Sequence, residues 1–518
     1  MKLGETYPIR LVCRLLGVPR SSVYYYYNAS YPWRASRLIP NYGRTPGWEE
    51  LGMDAAWIDR LEPQLDQYLG EFADCFGRSD TRGHLPVYVR GQLSDLPRKS
   101  VEPIALAAGV PPRTLQQFLS LLDWDHDRFR QRLHTIVARD HADRHAVGII
   151  DETGCPKKGT KTPGVRRQYC GATGKIDNCV VTVHLGYAAG EFHCLLDSDL
   201  YLPRDWADDR PRCRAAGIPA AVGYRPKWQI ALDLLERAAG HGVRFAWLTF
   251  DEGYGGKPEF LRELQRRRYR YVAEVPSTCT GWLRPPRLRG ERRLRPEFAA
   301  SSVADLLRFS PRLRDQSWQR FRVKDGHKGP LVWEAKRVRF YPKTAEGDPA
   351  APVHLVVARN ALDRSEVKYF LSNAPAGTRL ETLLVVAFSR WRVERCFEDE
   401  KTELGFDHYE GRTYRGLMRH QLVTAVSHLF LARVHRAERG EKPGPDGVPG
   451  ADRDGGRGPG MGAGRHRGGG AAGAGGGPDR LGATAERQRP GQPHQADHPK
   501  VTRRRHSPHR PQKVRLGK

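Results

Sequence analysis

Apolar positions divide the chain into a helical stretch, an alternating stretch and a stretch with no period. From about residue 53 to 143 they recur at helical spacing, as in Trp57-Ile58, Leu61, Leu65 and Leu69. Within it, Ile104 to Val110, Pro111-Pro112 and Thr114 to Leu119 read as two helices around a turn, with Thr114 as N-cap of the second. Upstream, Arg10 to Leu16, Gly17 and Pro19 to Ser22 suggest a smaller helix-turn-helix fragment. Residues 1–52 are taken as that fragment plus a linker.

From residue 145 the pattern changes to short apolar runs separated by helices. Ala146 to Ile150 predicts a strand ending at Asp151. Cys179 to Leu185 and Phe192 to Leu196 predict a hairpin turning at Gly190. A helix carrying Trp228, Ala231, Leu234 and Leu235 follows, then a strand Phe245 to Phe250 ending at Asp251. A helix from about Pro258 to Arg267 and a strand Tyr269 to Val275 complete the series. Three strands, helix, strand, helix, strand is the order of a ribonuclease-H-like core.

The helix expected next is delayed. The intervening segment, about 277–375, has strand-like runs at Val332 to Val338 and Val353 to Ala358 and reads as a β-rich insertion. A helix around Arg390 to Phe397 then precedes another at about Leu417 to Val434, apolar on one side. The predicted fold class is α/β: an all-α N-terminal domain (53–144), a ribonuclease-H-like catalytic domain (145–436) with its insertion, and a disordered tail (437–518). The tail lacks Phe, Trp, Tyr and Ile, so it has too little apolar surface to offset chain entropy.

Charge adds a partner. The 518 residues include 86 Lys+Arg against 59 Asp+Glu, a formal net charge of +27 that points to a polyanion, nucleic acid before membrane. Arg-rich composition inflates that figure, so charge alone does not decide. The cysteines are scattered without a CxxC pair. Cys170, Cys179, His193 and Cys194 have spacing that fits no common zinc module and read as ordinary buried thiols. No signal peptide or long apolar run is evident, so a cytoplasmic, nucleoid-associated protein without membrane contact is expected.

Asp151, Asp251 and Glu394 sit where two strand ends and a helix would aim them into one site, an arrangement able to hold two divalent cations around a phosphodiester. In so basic a chain that suggests a nuclease or strand-transfer enzyme. Alternation sends Glu152 and Glu252 to the faces opposite their neighbours. On the helix, Arg390, Glu394, Glu398 and Lys401 share roughly one face, leaving Glu398 as a rival third carboxylate.

Arg390, Glu394 and Lys401, at spacings of four and seven, match the Arg-Glu-Lys signature of one large group of DDE-type insertion-sequence transposases. Ala387 stands where that group has Tyr. The blocks Asp151 to Gly159, Arg167 to Gly171, Gly174 to Cys179, Asp251 to Gly255 and Glu403 to Glu410 also resemble that group's DDE endonuclease domain. The resemblance covers about residues 53–435. It implies Asp151, Asp251 and Glu394 as a metal-binding triad for two Mg²⁺ ions, with Mn²⁺ as substitute, and makes Glu398 secondary. It further implies cleavage of the element's terminal inverted repeats, joining to target DNA, and a dimer or larger assembly on DNA. Arg390, Lys401, Lys157, Lys158 and Arg167 are expected to contact DNA phosphates. Residues 7–27 instead resemble the start of a different insertion-sequence transposase, and the tail's abrupt composition is what a frameshift in GC-rich DNA would produce. The competing expectation is therefore a catalytically incompetent DNA-binding remnant with aberrant termini.

Overall fold

The computed structural model describes residues 55–289, 295–326 and 329–438. The N-terminal fragment, the linker and almost all of the tail lie outside them. Helices α1 (Ala55–Gly70), α2 (Ser79–Leu93), α3 (Val101–Ala107), α4 (Pro112–Ser120) and α5 (His126–Asp140) form the N-terminal part. The α3–α4 pair is the predicted two-helix turn, but Thr114 does not cap it. Helix α4 begins at Pro112, with Pro111 as an N-cap that offers no side-chain bond. Proline suits the first helical position because its φ is already helical and its missing N–H would have had no partner there.

The central sheet is built from β1 (Val147–Pro156), β2 (Arg166–Cys170), β3 (Lys175–Ala189) and β4 (Phe192–Leu200), then β5 (Trp247–Phe250) and β6 (Tyr271–Val275). Helix α6 (Lys227–Gly240) precedes β5, and α7 (Glu252–Gly255) and α8 (Pro258–Arg266) separate β5 from β6. This mixed α/β core is consistent with a ribonuclease-H-like fold, and the predicted order of strands and helices is present. Strand β2 is additional: with β3 it makes a first hairpin before the predicted β3–β4 one. Strand β1 does not end at Asp151. Its parallel partner β5 stops at Phe250, but β1 keeps pairing with β3 out to Pro156 opposite Cys179.

The insertion contributes β7 (Thr280–Trp282), β8 (Leu288–Arg289), β9 (Arg295–Pro296), β10 (Ser301–Ser302), β11 (Gln319–Gly326), β12 (Gly329–Pro342), β13 (Val353–Asn360) and β14 (Val367–Ser372). It is an insertion in sequence only. Strand β14 pairs antiparallel with β6, so the sheet runs β10-β7-β12-β13-β14-β6-β5-β1-β3-β2 without a break. Pairing along β6 satisfies backbone groups that would otherwise form an open edge.

Helices α9 (Leu380–Phe388), α10 (Trp391–Glu403) and α11 (Tyr414–Glu438) close the fold. Helix α11 is not apolar on one side. Every residue from Leu417 to Leu431 is buried or nearly so, because α2 and α4 cover one flank and β4 another. Its polar residues are bonded internally. Arg419 donates to the carbonyls of Phe118, Leu119, Leu122 and Trp124, and the His420 ring lies 2.9 Å from the Tyr88 hydroxyl. The Thr424 hydroxyl accepts from Gln92. Such buried polar groups are tolerated only when paired. The helical segment is thereby locked to the sheet whose other strands carry the acidic residues.

Candidate functional site

Register alone brings three carboxylates into a row. In the parallel pair β1–β5, Ile150 lies opposite Phe250; in the parallel pair β5–β6, Phe250 lies opposite Ala273. The next residues are Asp151, Asp251 and Glu274. Neighbouring strands lie about 4.8 Å apart and successive side chains alternate in face, so these three project side by side. Glu274 was not anticipated: a single Glu in the run Tyr271 to Val275 looks like ordinary polar alternation in a strand.

Helix α10 crosses this row. Val393 packs over Gly186 on β3, where a Cβ would stand 3.4 Å from the valine methyl. Arg390, the N-cap of α10, reaches back into the row. One guanidinium nitrogen lies 2.9 Å from Asp151 Oδ2, the second 2.9 Å from Glu394 Oε1, and Nε is 3.9 Å from Glu274 Oε2. Lys368 holds the other oxygen of Glu274 at 2.7 Å. Depth differs along the cluster. The Asp151 side chain is 11% exposed and that of Glu394 is 55% exposed, so the glutamate stands at the mouth.

Asp251 is fixed differently. It caps α7, its Oδ1 accepting from the backbone N–H groups of Gly253 (3.0 Å) and Tyr254 (3.3 Å). Helix α7 lies so close to β6 that a Cβ on Gly255 would stand 1.9 Å from the Glu274 carbonyl oxygen. Gly255→Ala is therefore expected to push α7 off the sheet and destabilise the chain by about 2 kcal/mol, read by denaturant unfolding. An unchanged midpoint would show that α7 yields freely.

Electrostatics follow from this crowding. Burial pushes the Asp151 carboxyl up to about 7; Arg390 pulls it down, while Asp251 and Glu394 raise it further. Burial works against the Arg390 charge, yet Asp151, Glu394, Glu274 and Asp251 together raise its pKa above the ordinary guanidinium value. The same four carboxylates therefore surround one cation.

The other predicted residues are dispersed. Lys401 donates to the Thr153 hydroxyl (2.7 Å) and the Gly154 carbonyl (3.2 Å), pinning α10 to β1. Lys157 is half-buried and donates to the carbonyls of Asp407 and Tyr409. Lys158 and Arg167 are exposed. Glu398 pairs with Arg395 on the outside of α10. Glu152, on the opposite face from Asp151, pairs with Lys227 and accepts from the Tyr254 hydroxyl at 3.4 Å.

Carboxylate oxygens are the donors Mg²⁺ prefers. Among the described residues, however, no three His, Cys, Asp or Glu side chains are grouped so as to hold a metal ion. The Arg390 guanidinium pairs with one oxygen each of Asp151 and Glu394, two of the residues that would hold an ion. In this arrangement the residues do not fit a metal pair.

The family model for the DDE superfamily endonucleases matches residues 71–330, just over half of the chain. The chain belongs to that family. The matched span includes Asp151, Asp251 and Glu274 and stops before Arg390 and Glu394. A curated protein described as a probable transposase for insertion sequence element IS701, from Microchaete diplosiphon, is 33% identical over 191 residues. That match covers 36% of this chain and 47% of the relative, so it spans about half the relative's length. Among solved structures, the NurA nuclease from Sulfolobus solfataricus aligns over 52% of this chain and 86% of its own, at 10% identity. Its TM-score of 0.20 is too low to bear on the fold. Among the described residues, no helix is long and apolar enough to cross a membrane.

Proposed function

We propose that this chain acts on DNA as a transposase of the insertion-sequence kind, with Asp151, Asp251 and Glu394 as the seat of its chemistry. Family membership, the transposase relative and the net positive charge support a DNA partner, including element ends and target DNA. In its full form this reading is Mg²⁺-dependent cleavage and strand transfer, with Arg390, Lys401, Lys157, Lys158 and Arg167 near the phosphates and two or more copies on DNA. Lys401 and Lys157 are engaged by backbone carbonyls, so Lys158 and Arg167 are the better placed of the five to reach DNA.

One observation favours the second reading, a DNA-binding protein that does not cleave. Arg390 bridges Asp151 and Glu394, and it balances their charge as a cation would. In this arrangement the carboxylate centre is closed. Cleavage requires Arg390 to leave it, for instance toward a DNA phosphate, which a guanidinium can bind with two parallel hydrogen bonds.

The test is a nicking assay on a supercoiled plasmid carrying the DNA that flanks the chain's own gene, with 10 mM Mg²⁺, beside a gel-shift on the same DNA. If Arg390 stays between the carboxylates when DNA binds, the result is binding without nicking. Mg²⁺-dependent nicking that is lost in each of Asp151→Asn, Asp251→Asn and Glu394→Gln, with binding kept, would overturn that and establish the cleaving enzyme. Loss of nicking in Glu398→Gln alone would reassign the third carboxylate.

A further inference from the structure

The β2–β3 hairpin has one face without a covering. Strand alternation divides it: Cys170 and Cys179 point into the body, packed with Val181, while Arg167, Tyr169 and Ile176 point away. Tyr169 and Ile176 are directly opposite each other across the two strands and are 65% and 63% exposed. Together they present an aromatic face and an apolar wall to solvent.

Their surroundings are cationic. Arg167 shares the outward face, and Lys158 and Lys161 lie in the loop between β1 and β2, whereas Lys175, at the turn end of β3, is on the face of Cys170. All four are exposed, and among the described residues none of them pairs with a carboxylate in an ion pair. The loop is tied to the hairpin, because Asn178 donates from its side-chain amide to the carbonyls of Lys157 (2.6 Å) and Gly159 (2.9 Å). The cations and the ring are thus carried on one platform. That platform shares β3 with β1, the strand that holds Asp151.

We infer that Tyr169 and Ile176 form a stacking platform for an unpaired nucleotide of single-stranded DNA, with Arg167, Lys158 and Lys161 following its phosphates. The ring supplies a face for a base, and Ile176 supplies an apolar wall beside it. Duplex DNA hides base faces within its stack, so the platform engages only unpaired or frayed strands, whereas the cations serve both forms. The inference rests on the reading that this chain acts on DNA.

The experiment measures fluorescence anisotropy of a labelled 20-nucleotide single strand and of the matching duplex. The full chain is compared with Tyr169→Ala, Tyr169→Phe and Ile176→Ser in low salt without metal. A second probe, 2-aminopurine within the single strand, reports stacking directly. Tyr169→Ala is expected to weaken single-strand binding about tenfold, as for loss of one base–aromatic contact. Duplex binding should change less than twofold, Tyr169→Phe should bind as wild type, and 2-aminopurine quenching should disappear only in Tyr169→Ala. Equal single-strand affinity for wild type and Tyr169→Ala, with duplex binding intact, would overturn the platform and leave the DNA reading standing. Binding of neither DNA form by the wild type would overturn both. Equal loss for single strand and duplex would show a structural role and also reject the platform, as would failure of Tyr169→Phe to bind.

Discussion

Arg390→Ala is expected to destabilise the metal-free chain by about 3–5 kcal/mol at pH 8, lowering Tm by at least about 5 °C. The side chain bridges Asp151 and Glu394 at 2.9 Å and approaches Glu274 at 3.9 Å. Its removal leaves Asp151 beside Asp251 and Glu394 without that cation, while Lys368 still pairs with Glu274. The loss is pH-dependent. As pH falls, Asp151 takes up a proton and the repulsion eases, so the deficit should shrink toward pH 6 and grow toward pH 8.5. Differential scanning fluorimetry of both proteins across that range measures it. A pH-independent deficit would mean that Arg390 acts through packing instead. Adding 10 mM Mg²⁺ should raise the Tm of Arg390→Ala more than that of wild type, because the variant's carboxylates are free to take a cation.

Asp151→Asn is expected to have the opposite sign. Burial raises the folded-state carboxyl to about 7, against an ordinary value of 3.8. Between those values the folded chain binds more protons than the unfolded one, so stability is greatest below about pH 4 for this group and falls as pH rises to about 7. Three pH units correspond to about 4 kcal/mol at most. Asn is neutral at every pH, so it removes that cost. The variant should therefore be more stable than wild type at pH 8 by about 2–4 kcal/mol and nearly equal to it at pH 4.5. Urea unfolding at both pH values tests this. A variant less stable than wild type at pH 8 would show that the bond to Arg390 outweighs the cost of burying the charge. A stabilising loss of a carboxylate is common where function sets the residue against the fold.

The sequence carried the strands of the core well because their apolar runs are short and bounded by turns. Asp151 and Asp251 were legible for the same reason: each follows such a run. Strand β2 was not, since Arg166 to Cys170 has one buried position in five and lacks a visible alternation. Its inward and outward faces emerge only from pairing with β3. Helix α11 misled in the other direction. Arg419, His420, Gln421, Thr424, Ser427 and His428 resemble a solvent face, yet all are buried. Their partners, such as Gln92 and Tyr88, lie more than 300 residues upstream, and no local pattern encodes them. Glu274 was missed because its neighbour in space is set by the register of β5 with β6 and not by its own flanks. The role of Arg390 was half legible. Its spacing put it on the same helix face as Glu394, but the reach to Asp151 depends on how α10 crosses the sheet.

The closed carboxylate centre is tested most directly by Mn²⁺ binding, followed by electron paramagnetic resonance at pH 8 without DNA. Wild type, Arg390→Ala and the double variant Arg390→Ala with Asp151→Asn are compared. If Arg390 closes the centre, Arg390→Ala binds Mn²⁺ at least about tenfold more tightly than wild type, a difference of about 1.4 kcal/mol, and the double variant loses that gain. Wild type binding Mn²⁺ as tightly as Arg390→Ala would contradict the account and mean that the carboxylates take a metal with the guanidinium in place.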